Sequence, residues 1–244
     1  MSPRQKMINL MYVVLMAMLA LNVSSDVLGG FSRVEEGIKR TTEGSTETNN
    51  AIYQQFEEQY KSNPTKVREW YLRAQEVKGM SDSLYNMVDS LKLLIAREAD
   101  GRNGNPDSIN NKEDLEACAQ VMLKQGSQRG QKLYDAIGSF RERITKMIND
   151  EAQKRIIERN LSTDVPAAAR ELNQNWQQYN FENMPVAAAV TLLTKIQSDV
   201  RYAEGEVLHT LVANIDMKDI RVNLLEAFVI PESRTIVKGG HLRA

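Results

Sequence analysis

Apolar side chains recur along most of this chain at alternating steps of three and four, the spacing of helices that bury one face. Val27, Phe31, Val34 and Ile38 begin such a stripe and Ile52, Phe56 and Tyr60 resume it, while Thr41, Ser45 and Thr48 hold the register between them in polar form. The pattern predicts one long helix with a weak middle, continuing from the preceding segment through a soft joint at Gly29-Gly30 and ending at Asn63-Pro64. A second stripe is clearer: Val67, Trp70, Ala74, Val77, Ser81, Leu84, Val88, Leu91 and Ile95 share one face of a helix roughly 50 Å long. The turn-rich DGRNGNPDSINN at 100–111 interrupts it. Beyond lie a short helix carrying Leu115, Cys118, Met122 and Leu123, capped by Asn111 and ended by Gly126, and then one long helix through Leu133, Ile137, Phe140, Ile144, Met147 or Ile148, and Ile156.

Residues 161–185 break the period and gather Trp176, Tyr179 and Phe181, a cluster that either packs inside the bundle ends or forms a partner surface. Pro185 opens a last helix with Val186, Val190, Leu193, Ile196, Val200, Ala203, Val207 and Leu211 on one face, and the small residues at 187–190 permit close approach of a neighbour. From 219 the pattern turns extended: Ile220, Val222 and Leu224 alternate, and AFVIPESRTIVKGGHLRA reads as strand, turn and strand. The predicted fold class is all-α: a transmembrane helix at 1–25, an elongated periplasmic helical bundle at 26–218, and at 219–244 the short β start of a truncated second periplasmic domain.

The first of these segments is set apart by its content. Residues 7–25, MINLMYVVLMAMLALNVSS, hold no charge, and as a helix they measure about 28 Å, close to a hydrocarbon core of about 30 Å. Arg4 and Lys6 precede the run and Asp26 is the first acid in the chain, which orients the N terminus to the cytoplasm and the rest outside it. A cleaved signal peptide also starts this way. Ser2, Pro3 and Gln5 instead form a helix start, and Leu19-Ala20-Leu21-Asn22 is a poor cleavage context. Inside the helix Gln5, Asn9, Tyr12 and Met16 form a stripe, and polar groups at such depth turn toward protein rather than lipid. Arg4 fits a headgroup anchor and a partner contact equally. With no Asp or Glu in the segment, a proton path through it needs a partner's carboxylate.

Composition removes other functions. The 244 residues carry 31 Lys plus Arg against 32 Asp plus Glu, a net charge of -1 that gives no electrostatic reason for nucleic-acid binding. A single cysteine, Cys118, excludes an internal disulfide and reads as a core position. His209 and His241 make no zinc site, and 100–111 fails as a calcium loop because Arg102 and Asn111 fall on ligand positions. No nucleophile elbow, phosphate loop or dinucleotide fingerprint occurs. The reading is a protein without catalysis, metal or cofactor.

Two stretches carry a family resemblance: SPRQKMINLMYVVLMAMLALNVSSDVL at 2–28 and NFENMPVAAAVTLLTKIQSDVRYAEGEVL at 180–208. Both resemble the GldM/PorM family of the type IX secretion and gliding machinery of Bacteroidetes, and AFVIPES with the later KGG is similar to the beginning of that family's second periplasmic domain. The resemblance implies an inner-membrane subunit of a motor driven by the proton motive force. Two copies, a homodimer, would each place one helix inside a pentamer of the two-helix membrane protein GldL or PorL, and domains beyond this chain would reach periplasmic and outer-membrane-associated components. It further implies a motor interface at Arg4 and Tyr12, with Asn9 and Lys6 as weaker members, Arg4 facing a glutamate of the ring. The competing reading is a membrane-anchored helical-bundle sensor or a periplasmic chaperone.

Overall fold

A computed structural model describes residues 3–21 and 25–223, with the side chains of 3–16 and 26–215 among them. These residues form helices and loops, with no strand among them. Helix α1 spans Pro3–Leu21, α2 Ser25–Ser62 and α3 Pro64–Asp100. The smaller α4 (Ala117–Met122), α5 (Arg129–Thr145), α6 (Glu151–Asn160), α7 (Ala167–Glu171) and α8 (Trp176–Phe181) lead to α9, Val186–Asn223.

α2 is unbroken through Gly29, Gly30 and the Thr-rich middle, so the expected joint at the glycine pair is a helix interior. Each threonine hydroxyl there returns to the carbonyl four residues earlier, as Thr42 does to Ile38 at 2.8 Å and Thr46 to Thr42 at 2.8 Å, which satisfies the polar middle without breaking the ladder. Asn63 stops α2 and caps α3 by accepting from the Lys66 amide, with Pro64 in the first helical position. The helices reverse across this one residue. On α3 the predicted face is the buried one, with Lys92 and Ala96 added to it and Trp70 half-buried.

α2, α3 and α9 form the main bundle, and their directions follow from named contacts. Phe31 meets Thr191, Glu35 meets Thr194 and Asn49 meets Glu204, so α2 and α9 run parallel. Lys92 meets Gln197 while Asp82 meets Arg201, so α3 opposes both. The core runs the length of this trio, from Leu91, Ile95 and Leu193 to Phe56, Val67 and Leu211.

Of the smaller helices α4 and α5 lie against α3, α8 packs on α4 and α5, and α6 on α5 and α9; here expectation and structure part. Asp114, not Asn111, starts α4 by accepting from the Glu116 and Ala117 amides at 2.8 and 3.0 Å. The single long helix expected through Ile156 is two, because Asp150 accepts from the Ala152 amide and begins α6 afresh. The break moves the register by one, burying Ile157 and leaving Ile156 outside. Of the aromatic cluster, Trp176 and Phe181 are buried edge to face at 5.9 Å between ring centres, with Tyr134 5.8 Å from Trp176, whereas Tyr179 is exposed. An Asn175/Gln178 capping box fixes the turn that presents them.

α9 continues to Asn223, so 219–223 is helical where a strand was expected to begin. Three alternating apolar positions do not outweigh a helix already propagating, since each further residue needs only one more hydrogen bond. The remaining stretch of the expected β segment, 224–244, lies outside the described residues.

Cys118 is fully buried in α4, and desolvation pushes its thiol up to about 12. Thiolate, the reacting species, is then scarce near neutrality. Maleimide at pH 7.5 is expected to leave the native chain unlabelled and to label it once in denaturant; labelling of the native chain at the rate of a free thiol would contradict this burial.

Candidate functional site

The residues singled out at the N terminus all fall on α1. Each described side chain there is exposed, Tyr12 at 66% and Met11 at 71%. At about 100° per residue, Gln5, Asn9, Tyr12 and Met16 occupy a stripe about 60° wide, Arg4 lies about 80° to the side of Tyr12, and Lys6 about 60° beyond Asn9 on the other side. α1 thus brings Asn9 and Tyr12 together and leaves the two cations on opposite flanks. Around them Met7, Ile8, Leu10, Val13, Val14 and Leu15 are exposed as well, an apolar surface on every side of the helix. Among the described residues no helix is long and apolar enough to cross a membrane. In α1 the first turn carries the polar Arg4, Gln5 and Lys6.

A second polar site went unseen in the sequence: it lies inside the bundle. Glu204 of α9 is 1% exposed and its carboxylate accepts three hydrogen bonds, from the Tyr53 hydroxyl at 2.7 Å, the Asn49 amide at 3.2 Å and the Arg201 guanidinium at 2.8 Å. Arg201 also reaches Asp82 of α3 at 2.9 Å and lies over the Tyr85 ring, 4.5 Å from its centre. Asn49 donates in addition to the Arg201 carbonyl at 2.9 Å. The Lys78 ammonium lies over the Tyr53 ring, 4.8 Å from its centre. Burial, with the Glu204 carboxylate second, raises the Tyr53 phenol far above its ordinary value, so it stays a donor.

Further rungs follow along α9. Gln197 accepts from the buried Lys92 at 3.2 Å and donates to the Tyr85 carbonyl at 3.3 Å; burial pulls the Lys92 ammonium below the ordinary lysine value. The Thr194 and Thr191 hydroxyls donate within α9, to the Val190 and Ala187 carbonyls at 2.9 and 2.7 Å, and stand in longer contact with Glu35 at 3.4 Å and the Phe31 carbonyl at 3.3 Å across to α2. A signal for these contacts was present. Glu35, Thr42 and Asn49 continue, every seven residues, a line that starts at Leu28 and ends at Phe56, and all five are buried. Polar residues on a line bounded by core residues are inside the bundle. Their period reveals this even though their polarity suggests a solvated face.

At the end of the bundle where α2 begins, the loop between α3 and α4 acts as a strap. Asp100 accepts from the Asn110 and Asn111 amides at 2.7 and 2.8 Å, Asp107 pairs with Lys39 of α2 at 2.7 Å, and Lys112 donates to Ser32 at 2.9 Å. The hydrogen bond from Lys39 holds the Asp107 carboxyl below its usual range. The carbonyls of Asp114 and Lys112 then accept from the first amides of α9, those of Val186 and Ala187. A cavity of about 230 Å³ remains between strap and α2, lined by Glu35, Glu36, Lys39, Asp107 and Lys112, within which Lys39 pairs with both Glu35 and Asp107. Among the described residues no group of His, Cys, Asp and Glu could hold a metal ion.

The GldM N-terminal domain, as a family model, matches residues 26–214, which is the helical bundle and most of α9. The chain belongs to the GldM/PorM family. No curated protein matches it. The GldM family is one of gliding and secretion machinery and is not an enzyme family, so this GldM-family chain is a helical component associated with that machinery. The matched region contains the buried ladder and the strap; α1, with Arg4, Lys6, Asn9 and Tyr12, precedes it.

Proposed function

We propose that this chain is a single-pass inner-membrane subunit of the proton-motive-force-driven motor of type IX secretion and gliding. Its N terminus lies in the cytoplasm and its bundle in the periplasm. Two copies stand inside a pentameric ring of a GldL/PorL-type two-helix protein, and proton flow through the ring moves the pair. The observation that carries the reading is α1: a helix with apolar side chains exposed all round, a phenol and an amide on one stripe, a cation at its start, and no acid.

A surface of that kind is unfavourable in water, at about 25 cal/mol for each Å² left exposed, and it matches lipid together with a protein neighbour that satisfies Asn9 and Tyr12. Arg4 supplies the charge that favours ionisation of a ring glutamate, since a nearby cation lowers a carboxyl's affinity for its proton. Tyr12 donates within the same contact. Removing the cation therefore alters the proton step and leaves the bundle intact.

In cells carrying Arg4→Ala or Tyr12→Phe, secretion and gliding are expected to fall at least about tenfold, the size of effect a lost proton-transfer partner produces, while the complex with the ring still purifies. Undiminished secretion in both variants would remove these roles.

A further inference from the structure

We infer that the polar rungs along α9 are a register pin, which holds α9 at one axial alignment against α2 and α3 and makes the bundle move as a single body. The apolar contacts alone do not set that alignment. On α9, Val186, Leu193, Val200 and Val207 repeat every seven residues and are all buried, and on α3 Val77, Leu84 and Leu91 do the same. A slip of seven residues, about 10 Å, would bring one aliphatic side chain to the place of another.

The polar positions break this equivalence. Glu204 is level with Asn49 and Tyr53; after such a slip it would face Thr42 and Thr46, without the amide or the phenol, or Phe56 and Tyr60, where a phenol recurs but the amide does not. Gln197 would leave Lys92, and Arg201 would leave Asp82. A buried carboxylate or ammonium without its partner is strongly unfavourable, and buried polar groups that fix register are the best-attested use of such pairs. Gly205 belongs to the same device: a methyl group there would lie 2.8 Å from the Asn49 side-chain oxygen, so the glycine lets Asn49 reach across to α9. That the pinned bundle carries motion from the membrane rests on the motor reading; the pin itself does not.

The test is a distance measurement on the whole 244-residue chain in detergent, mixed with excess unlabelled chain so that distances within one copy are read. Nitroxide labels at Glu36→Cys and His209→Cys, both exposed and far apart along the axis, turn a slip almost wholly into a change of distance; buried Cys118 stays unlabelled. The otherwise unaltered chain is expected to give one distance. Replacing the knot by apolar groups (Asn49→Leu, Tyr53→Phe, Arg201→Met, Glu204→Leu) is expected to keep the helix content and add a second distance, displaced by about 10 Å. The milder pair Tyr53→Phe with Glu204→Gln retains side-chain volume and is expected to show the same second distance in a smaller fraction. A single, unshifted distance in whichever of these variants is folded overturns the pin. Neither label reads proton flow, so failure of the motor reading, seen as normal secretion in Arg4→Ala, leaves this result distinct.

Discussion

Glu204→Ala is expected to lower the unfolding free energy of the bundle by about 3–5 kcal/mol, because removing one member of a buried charged network strands the others. Three donors lose their acceptor at once: the Tyr53 hydroxyl, the Asn49 amide and one Arg201 nitrogen. Arg201 Nε is already buried with no hydrogen-bond partner, so the guanidinium has little spare solvation. In a domain of this size each kcal/mol shifts the melting midpoint by about 2–4 °C. A fall of about 10 °C is therefore expected in circular dichroism melts. Glu204→Gln, which keeps the volume and one acceptor oxygen, is expected to lose less, about 1–3 kcal/mol. A loss below about 1 kcal/mol for the alanine variant would mean that the surface reaches these donors.

Gly104→Ala is the second large effect, and its sign is contrary to the common one. Glycine to alanine usually stabilises a protein where the backbone tolerates it. At Gly104 the added carbon would stand 2.1 Å from the Ala96 carbonyl oxygen, 2.5 Å from its carbon and 2.8 Å from the Arg97 amide nitrogen. All three are backbone atoms of α3 and cannot rotate away, so the strap has to lift. With it go the Lys39–Asp107 pair and the acceptors for the first amides of α9. A loss of about 3 kcal/mol is expected, in the range of core disruption. Hydrogen exchange gives the specific signature: the Val186 and Ala187 amides should exchange much faster, while Val207 and Leu208 in the middle of α9 stay protected. Unchanged protection at Val186 would show that the strap accommodates the methyl group in place.

Much of the bundle was legible because apolar period and helix punctuation agree. The α3 face, the Asn63-Pro64 break and the Pro185 start all rest on residues whose local preference matches their tertiary role. The departures share one cause: competition between a local signal and a more distant one. Asp150 restarts a helix where Ile144, Ile148 and Ile156 seem to keep count, because its side chain caps an amide more strongly than the stripe demands continuity. At 219–223 the alternation of Ile220 and Val222 yields to a helix already more than eight turns long. The pairing of polar core positions was hidden for a different reason. Gln197 and Glu204 lie every seven residues between buried Val190 and Leu211, so their burial has the same periodic signal as that of Asn49, but their pairing with Lys92 and Tyr53 depends on residues more than a hundred positions away in sequence, which no local pattern contains. The residues of α1 were legible as a stripe, and the bundle geometry adds nothing to their assignment.

The parallel course of α2 and α9 has a mechanical consequence. A tension applied between Ser25 and Asn223 draws two parallel helices past each other along their shared axis, so it loads their contacts in shear. The contacts that join α2 to α9, from Phe31–Thr191 to Tyr53–Glu204, resist at the same moment. In an antiparallel pair held at neighbouring ends, the same force would open the contacts one after another like a peeled strip, each bearing the full load alone. With three long helices instead of two, the chain that enters the bundle at one end leaves it at the other, and α2 alone separates those ends by about 57 Å.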